Sequence, residues 1–493
     1  MKQKLTTLSA ALLLLSLLSI AQKKVQQPKP NVLLIITDQM SANMMSCTGN
    51  PYVKTPNLDA LAASGIRFTN AYAANPVCVP SRYSMFSGEL ASQIGLEHNG
   101  QQKKIDVPQD RLDKSMGFLF RNAGYNTVYG GKTHLMGQNG VVDKVEMWGF
   151  DLLTADFYDG LPKKCESFFQ QKHDQPFLLV ASFMNPHDIC YMALNEYEIS
   201  QGRTEKGGRF LKEALKMPDG MSREDFVSQY CPPLPPNFEI PKNELTAFMA
   251  DKPAFMHYAR NNWNETDWRL HRWAYARLTE MVDAQIGRVL NALKKSGLDE
   301  NTIVVFVSDH GDQDGAHRLE HKAFLYEESS KVPFLISWKN NIEPGQVDTK
   351  HLVSGGIDLL PTLCDLANIP VPQSFVGKSV RKLAMQGDRS PGWRDHLVVE
   401  NNIGRLLIWD SWKYIVGKDV ADGKFEADET VKSSPSNGQI REMLINLDKD
   451  PGEMNNLAAD KKYKAQLQRG RRLLTEWYRT ANIDLDAGYK ITK

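Results

Sequence analysis

The stretch NPVCVPSRYSMFSG, residues 75–88, places a cysteine two positions before a proline and four before an arginine. That is neither the paired spacing of a zinc site nor that of a redox disulfide, so Cys78 is set aside for other chemistry. Residues suited to serve it recur elsewhere. Asp38 and Gln39 close NVLLIITDQ, and Asp309 with His310 opens DHGDQDG. Two carboxylates with neutral oxygen and nitrogen donors suit a hard divalent cation such as Ca²⁺. GGKTHLMG supplies Lys132 and His134, NPHD supplies His187, and HRLEHKAF supplies Lys322. With Arg82 they would ring a tetrahedral anion with charge and hydrogen-bond donors. Singly, each has an ordinary reading: a turn-capping aspartate, a structural histidine, a solvated lysine. Their shared placement at the ends of strands or turns gives them weight.

Three apolar runs position these groups: NVLLIITD, PFLLVASFMNPH at 176–187 and NTIVVFVSDH from 301. Continuous runs of this kind read as buried strands of a mostly parallel sheet. Helical patterns between them, TPNLDALAASG and RLTEMVDAQIGRVLNALKKSG, complete an α/β class with helices on both faces. Ligands bind where such strands end, so the polar clusters should converge. Residues 188–275 are proline-rich and aromatic and read as an irregular insertion shaping a pocket. Its Trp263, Trp268, Tyr258, His271 and Trp273 suit either sugar stacking or a core. His98 suits either a sugar contact or a structural place. Beyond about residue 385, RDHLVVENN, RLLIWDSWKYIVG and REMLINLDKD read as antiparallel strands, followed by a closing helix. The expected domains are 31–385, α/β, and 386–493, a smaller α+β unit.

Composition excludes other classes. The 493 residues carry 59 basic and 58 acidic side chains, so no global field draws the chain to nucleic acid or anionic lipid. Residues 1–21 read as a secretory signal, with Lys2 and Lys4 before a short apolar run, and 22–30 as a linker. No later run is long enough to span a bilayer, and the expected location is periplasmic or secreted. The six scattered cysteines (47, 78, 165, 190, 231 and 364) have no readable pairing.

CVPSRYSMFSG resembles the signature of the type I, formylglycine-dependent sulfatases of the alkaline-phosphatase-like superfold: Cys78, Pro80, Arg82, Phe86, Ser87 and Gly88 all fit. GKTHLMG, TDQ and SDHGDQDGAH resemble further blocks of that family, and INLDKDPGEMNNLA its C-terminal consensus. The resemblance implies that a maturase oxidises Cys78 to formylglycine, whose hydrated aldehyde attacks the sulfur of a sulfated saccharide. It implies a cation on Asp38, Gln39, Asp309 and His310, and a positioning role for Arg82. Lys132 and Lys322 would offset charge, His187 or Lys322 would protonate the leaving alcohol, and His134 would act as base. Gln39 and His310 stand where many relatives carry aspartate and asparagine, which leaves Ca²⁺ and Mg²⁺ both open. Two rivals remain: a phosphoester or phosphonate hydrolase of the same superfold, and a non-catalytic sulfated-glycan binder.

Overall fold

In the computed structural model, residues 28–386, 392–418 and 438–481 are described, with the backbone of 425–426 and 489–490. The expected signal, 1–21, most of the expected linker, and residues 387–391 just past the expected domain boundary lie outside the described residues. The central sheet has eight strands: β1 (Asn31–Asp38), β2 (Ile66–Phe68), β3 (Asn126–Gly131), β4 (Asp151–Thr154), β5 (Phe177–Pro186), β6 (Thr302–Ser308), β7 (Phe334–Trp338) and β8 (Gln346–Asp348). They lie in the order β4-β3-β5-β1-β6-β7-β2-β8. β4, β3, β5, β1 and β6 run parallel, and β7 is antiparallel to both neighbours.

The apolar runs are continuous because both faces are covered. Every residue of β5 and β6 is buried, as is all of β1 after Asn31. Leu33 and Ile35 pack with Leu278, Val282 and Ile286 on one face, while Val32, Leu34 and Ile36 pack with Val79, Tyr83 and Phe86 on the other. The C-terminal sheet is a consecutive antiparallel meander of β9 (His396–Asn401), β10 (Gly404–Trp409), β11 (Trp412–Gly417) and β12 (Glu442–Asn446). A helix at Lys464–Thr480 lays Leu467, Leu474 and Tyr478 on Trp409 and Tyr414. No helix among the described residues is long and apolar enough to cross a membrane.

Residues 188–275 differ from the expectation of an irregular insertion. They hold helices at Cys190–Ser200, Arg209–Ala214, Arg223–Tyr230 and Ala254–Asn262, and the first turns of the long helix Glu265–Lys295. Five prolines cluster at 232–241, between helices, where a missing N–H breaks no ladder. The aromatics form the insertion's own core. Trp268 and His271 are fully buried, Trp268 meets Trp263 edge-on at 4.8 Å, and the Trp273 indole donates to the Ala214 carbonyl at 3.0 Å.

Candidate active site

Strand register gathers the site. Asp38 is level with Pro186 of β5, and Thr37 with Ser308 of β6. Asp38, His187 and Asp309 therefore leave adjacent strands together, at the carboxyl end where open sheets bind ligands. Lys132, just past β3, donates its backbone N–H to the Ser182 carbonyl of β5 at 2.8 Å and emerges at the same level.

The signature itself is a helix, Cys78–Ser87. Pro80 sits in the first turn, where its missing N–H costs no helical bond. Arg82 follows Cys78 by four positions and shares its face. Gly88 ends the helix at φ 70°, a left-handed cap that a residue with a Cβ takes up at a cost. The helix points its positive dipole end at residue 78.

Cys78 is fully buried at the convergence point. Its Sγ lies 3.1 Å from Lys322 Nζ, 3.2 Å from His310 Nε2 and 3.8 Å from Asp38 Oδ1. His134 and His187 also lie beside it. Arg82 spreads its fork beneath: Nε donates to Asp309 Oδ2 at 2.8 Å, and a terminal nitrogen donates to Ser182 Oγ at 2.9 Å and the Lys132 carbonyl at 3.0 Å. Its other nitrogen reaches Asp38 Oδ2 at 3.4 Å, and Lys132 Nζ reaches that same oxygen at 2.5 Å.

The electrostatics favour an anion at residue 78. Burial pushes the Cys78 thiol up, but the charges of Lys322 and Lys132, with His310 and His134 beside it, outweigh that and bring the thiol well below its usual value. Asp38 follows the same pattern: burial and Cys78 oppose its charge, and the Lys132 and Lys322 ammonium groups hold it well below the carboxylate range. Asp309 is raised, by burial and by Asp38's charge. Burial, with the charges of Lys132 and Lys322, brings His187 down to about 3, so its ring rests neutral.

One cation fits among these groups. Among the described residues, donor atoms of Asp38, Cys78, Asp309 and His310 all lie within 4.8 Å of one another. Ligands on opposite sides of a Ca²⁺ ion stand about 5 Å apart. His310 Nδ1 lies 2.9 Å from the Gly311 carbonyl, a contact that would keep a ring proton on Nδ1 and present Nε2 to a cation in the cluster. Gln39 is held in the left-handed region, φ 71°, with its N–H on Asp309 Oδ1 at 3.1 Å. Its side-chain oxygen accepts from Lys322 at 2.8 Å and from Cys190 at 3.0 Å, and its amide donates to Asp312 Oδ2 at 2.6 Å. His98 is exposed and accepts the Gly100 N–H at 3.1 Å, while its neighbour Asn99 accepts the Val79 N–H at 2.9 Å, laying this loop against the start of the signature helix.

Sequence reasoning did not single out Ser182, Cys190, Asp312 or His321. Ser182 and Asp312 each lie in a run quoted for another residue, and Cys190 follows NPHD by two positions. The signal that finds them is contact across the chain: Arg82 to Ser182 spans 100 positions and Gln39 to Cys190 spans 151. All six cysteines are free of disulfides.

Comparison with known proteins follows the same lines. The family description Sulfatase matches residues 30–369. A Delta 4,5-hexuronate-2-O-sulfatase of Bacteroides thetaiotaomicron is 29% identical over 481 residues, covering 93% of this chain and 92% of the relative. A solved structure of a 2-O GAG sulfatase superposes with a TM-score of 0.74 at 27% identity, covering 94% of this chain and 95% of the other. A phosphonate monoester hydrolase of Agrobacterium radiobacter shares the fold, with a TM-score of 0.67 at 19% identity over 92% of this chain and 96% of its own.

Proposed function

The chain belongs to the sulfatase family, and from that premise we propose that it removes sulfate from saccharides of glycosaminoglycan or mucin type, with residue 78 as the nucleophile after Cys78 is oxidised to formylglycine. The carrying observation is the buried Cys78 sulfur with Lys322, His310 and Asp38 all within 3.8 Å. Its activity class is sulfuric ester hydrolysis. The saccharide class draws support from the hexuronate-2-O-sulfatase relative.

Formylglycine supplies a hydrated aldehyde oxygen in place of the thiol. A divalent cation, Ca²⁺ in this proposal, supplies Lewis acidity toward that oxygen and the sulfate, and Asp38, Asp309 and His310 would hold it, with Gln39 adjoining. The chain's own groups do the rest. Arg82, tied to Asp309 and Ser182, fixes the helix that carries residue 78. Lys322 and Lys132 keep positive charge where negative charge grows as the ester bond breaks. His187 is assigned the leaving alcohol's proton: its side chain is 15% exposed, whereas Lys322 is engaged by Gln39 and residue 78. His134, beside residue 78, is assigned the proton leaving that residue.

The test uses protein co-expressed with a formylglycine-generating maturase, with intact mass read on the residue 78 peptide. A panel of defined sulfated mono- and disaccharides is then assayed beside Cys78→Ala. Cleavage that disappears in Cys78→Ala supports the reading. Equal cleavage by the variant, or full activity with an unmodified thiol, overturns it, and faster turnover of a phosphonate monoester than of every sulfate would favour the rival hydrolase. We also propose export by residues 1–21, for which amino-terminal sequencing of the host's protein should begin near residue 22.

A further inference from the structure

We infer that Lys252 and Asn401 are positioning residues that hold Lys322 against residue 78 by gripping one backbone carbonyl, that of Ala323. The catalytic consequence rests on the sulfatase reading; the grip itself does not.

Lys322 touches the residue 78 sulfur at 3.1 Å and the Gln39 oxygen at 2.8 Å, and the backbone that delivers it is strained. His321 and Ala323, on either side, take φ values of 75° and 69°. Non-glycine residues avoid that region, and it persists where the surroundings over-determine it. Here the surroundings are explicit. The Ala323 N–H donates to the Pro76 carbonyl, two residues before Cys78, at 3.0 Å, and the His321 carbonyl accepts the Gln313 N–H at 2.9 Å. The Ala323 carbonyl accepts twice: from Lys252 Nζ at 2.7 Å and from Asn401 Nδ2 at 3.3 Å.

Both donors are themselves fixed. Lys252 lies between the helices Ala247–Ala250 and Ala254–Asn262, with its ammonium 4.2 Å from the Phe324 ring centroid. Asn401 ends β9, and its Oδ1 accepts the N–H groups of Ile403 and Gly404 at 3.0 and 3.1 Å in the turn to β10. The insertion and the C-terminal sheet thus each place one donor on the same oxygen. Together with Pro76, which holds the Ala323 N–H, they fix residue 323 through the peptide groups on both sides of its Cα. Without them Ala323 is free to relax its φ, and the Lys322 ammonium loses its fixed reach.

The substitutions are Lys252→Met, which keeps length and loses the donor, and Asn401→Asp, which keeps the acceptor for the turn and loses the N–H. Lys252→Arg is the rescue, and conversion of residue 78 is checked by mass throughout. The expected result is a kcat about tenfold lower for Lys252→Met and Asn401→Asp with little change in KM, as for a misplaced transition-state group, largely restored in Lys252→Arg. In a Lys322→Ala background, Lys252→Met should change kcat by less than about twofold, because the two then act as one unit. Independently of activity, hydrogen exchange at the Ala323 amide should quicken about tenfold in both variants. Unchanged exchange at Ala323 overturns the grip. A tenfold loss that persists without Lys322 shows that Lys252 acts elsewhere and overturns the positioning role. If Lys252→Met does not fold, Asn401→Asp decides alone. If the parent protein cleaves no sulfate, the sulfatase reading fails while the exchange measurement still judges the grip.

Discussion

Replacing His187 by alanine should separate leaving groups rather than abolish turnover. His187 follows β5, its Nε2 is 4.0 Å from Asp38 Oδ1, and its Nδ1 has no hydrogen-bond partner among the described residues. Burial and the charges of Lys132 and Lys322 keep the ring neutral at rest, so a substrate's negative charge is what draws a proton onto it. A positioned general acid is worth about 10²- to 10⁴-fold where the leaving oxygen is a poor one. At about 1.36 kcal/mol per tenfold, His187→Ala should raise the barrier for a sugar sulfate by roughly 2.7–5.4 kcal/mol. A sulfate ester of an acidic phenol leaves without a proton, and its kcat/KM should fall by less than about tenfold. The assay compares kcat/KM for the two substrates in parent and variant, with residue 78 conversion matched. Equal losses on both would place His187 in service of residue 78 or the cation and refute its assignment as the acid. Leaving-group selectivity in Lys322→Met instead would move that role to Lys322.

Three further outcomes test the electrostatics. The proposed cation predicts that a chelator lowers the melting temperature, because Asp38 and Asp309 would lose a common ion; Ca²⁺ at a hundred times its Kd should restore about 2.7 kcal/mol. Lys413→Met should cost about 3–5 kcal/mol in denaturant titration, since Lys413 is buried with Nζ 2.6 Å from Glu453 and 3.1 Å from Glu327, and adding Glu453→Gln should recover part of the loss. Fully buried His271 is brought down to about 3, by burial and then by Arg272. A folded value below the unfolded one means that its stability is present above pH about 6.5 and is lost as pH falls toward 3, about 1.4 kcal/mol per unit. His271→Leu should therefore shift the acid-unfolding midpoint to lower pH, and an unchanged midpoint would refute the assignment.

Much of this was legible because two physical signals are local. A strand covered on both faces is an unbroken apolar run, so β1, β5 and β6 announce themselves, and the polar residue that ends each run is by construction at the sheet's carboxyl edge. The groups drawn together around Cys78 follow from that edge. What is not local was not legible. Nothing in NPHDIC marks Cys190 as a neighbour of Gln39, and nothing in HKAF shows that Ala323 is left-handed and held from residues 76, 252 and 401. Nor could composition decide that the aromatics of 255–273 face inward, since a tryptophan suits a core and a sugar equally well. Helix packing decided it, with Trp268 against Trp263 and Phe238.

The charge balance around residue 78 explains why so costly an arrangement persists. Arg82, Lys132 and Lys322 face Asp38 and Asp309, and all five are at most 6% exposed. Counted formally, these five groups carry one positive charge more than they neutralise. Buried charge without a partner is expensive, and a fold retains it where something else completes the set. An anion at residue 78 is what completes it here, as the lowered Cys78 thiol already indicates. In the proposed reaction the same surplus would hold a sulfate group and the negative charge that develops beside it, with donors fixed before the substrate arrives. Asp309→Asn, which removes a negative charge from this set, should therefore deepen the surplus: weaker cation binding in calorimetry together with tighter binding of inorganic sulfate. Weaker sulfate binding, measured at matched cation occupancy, would show that the buried positive groups are not what holds the anion.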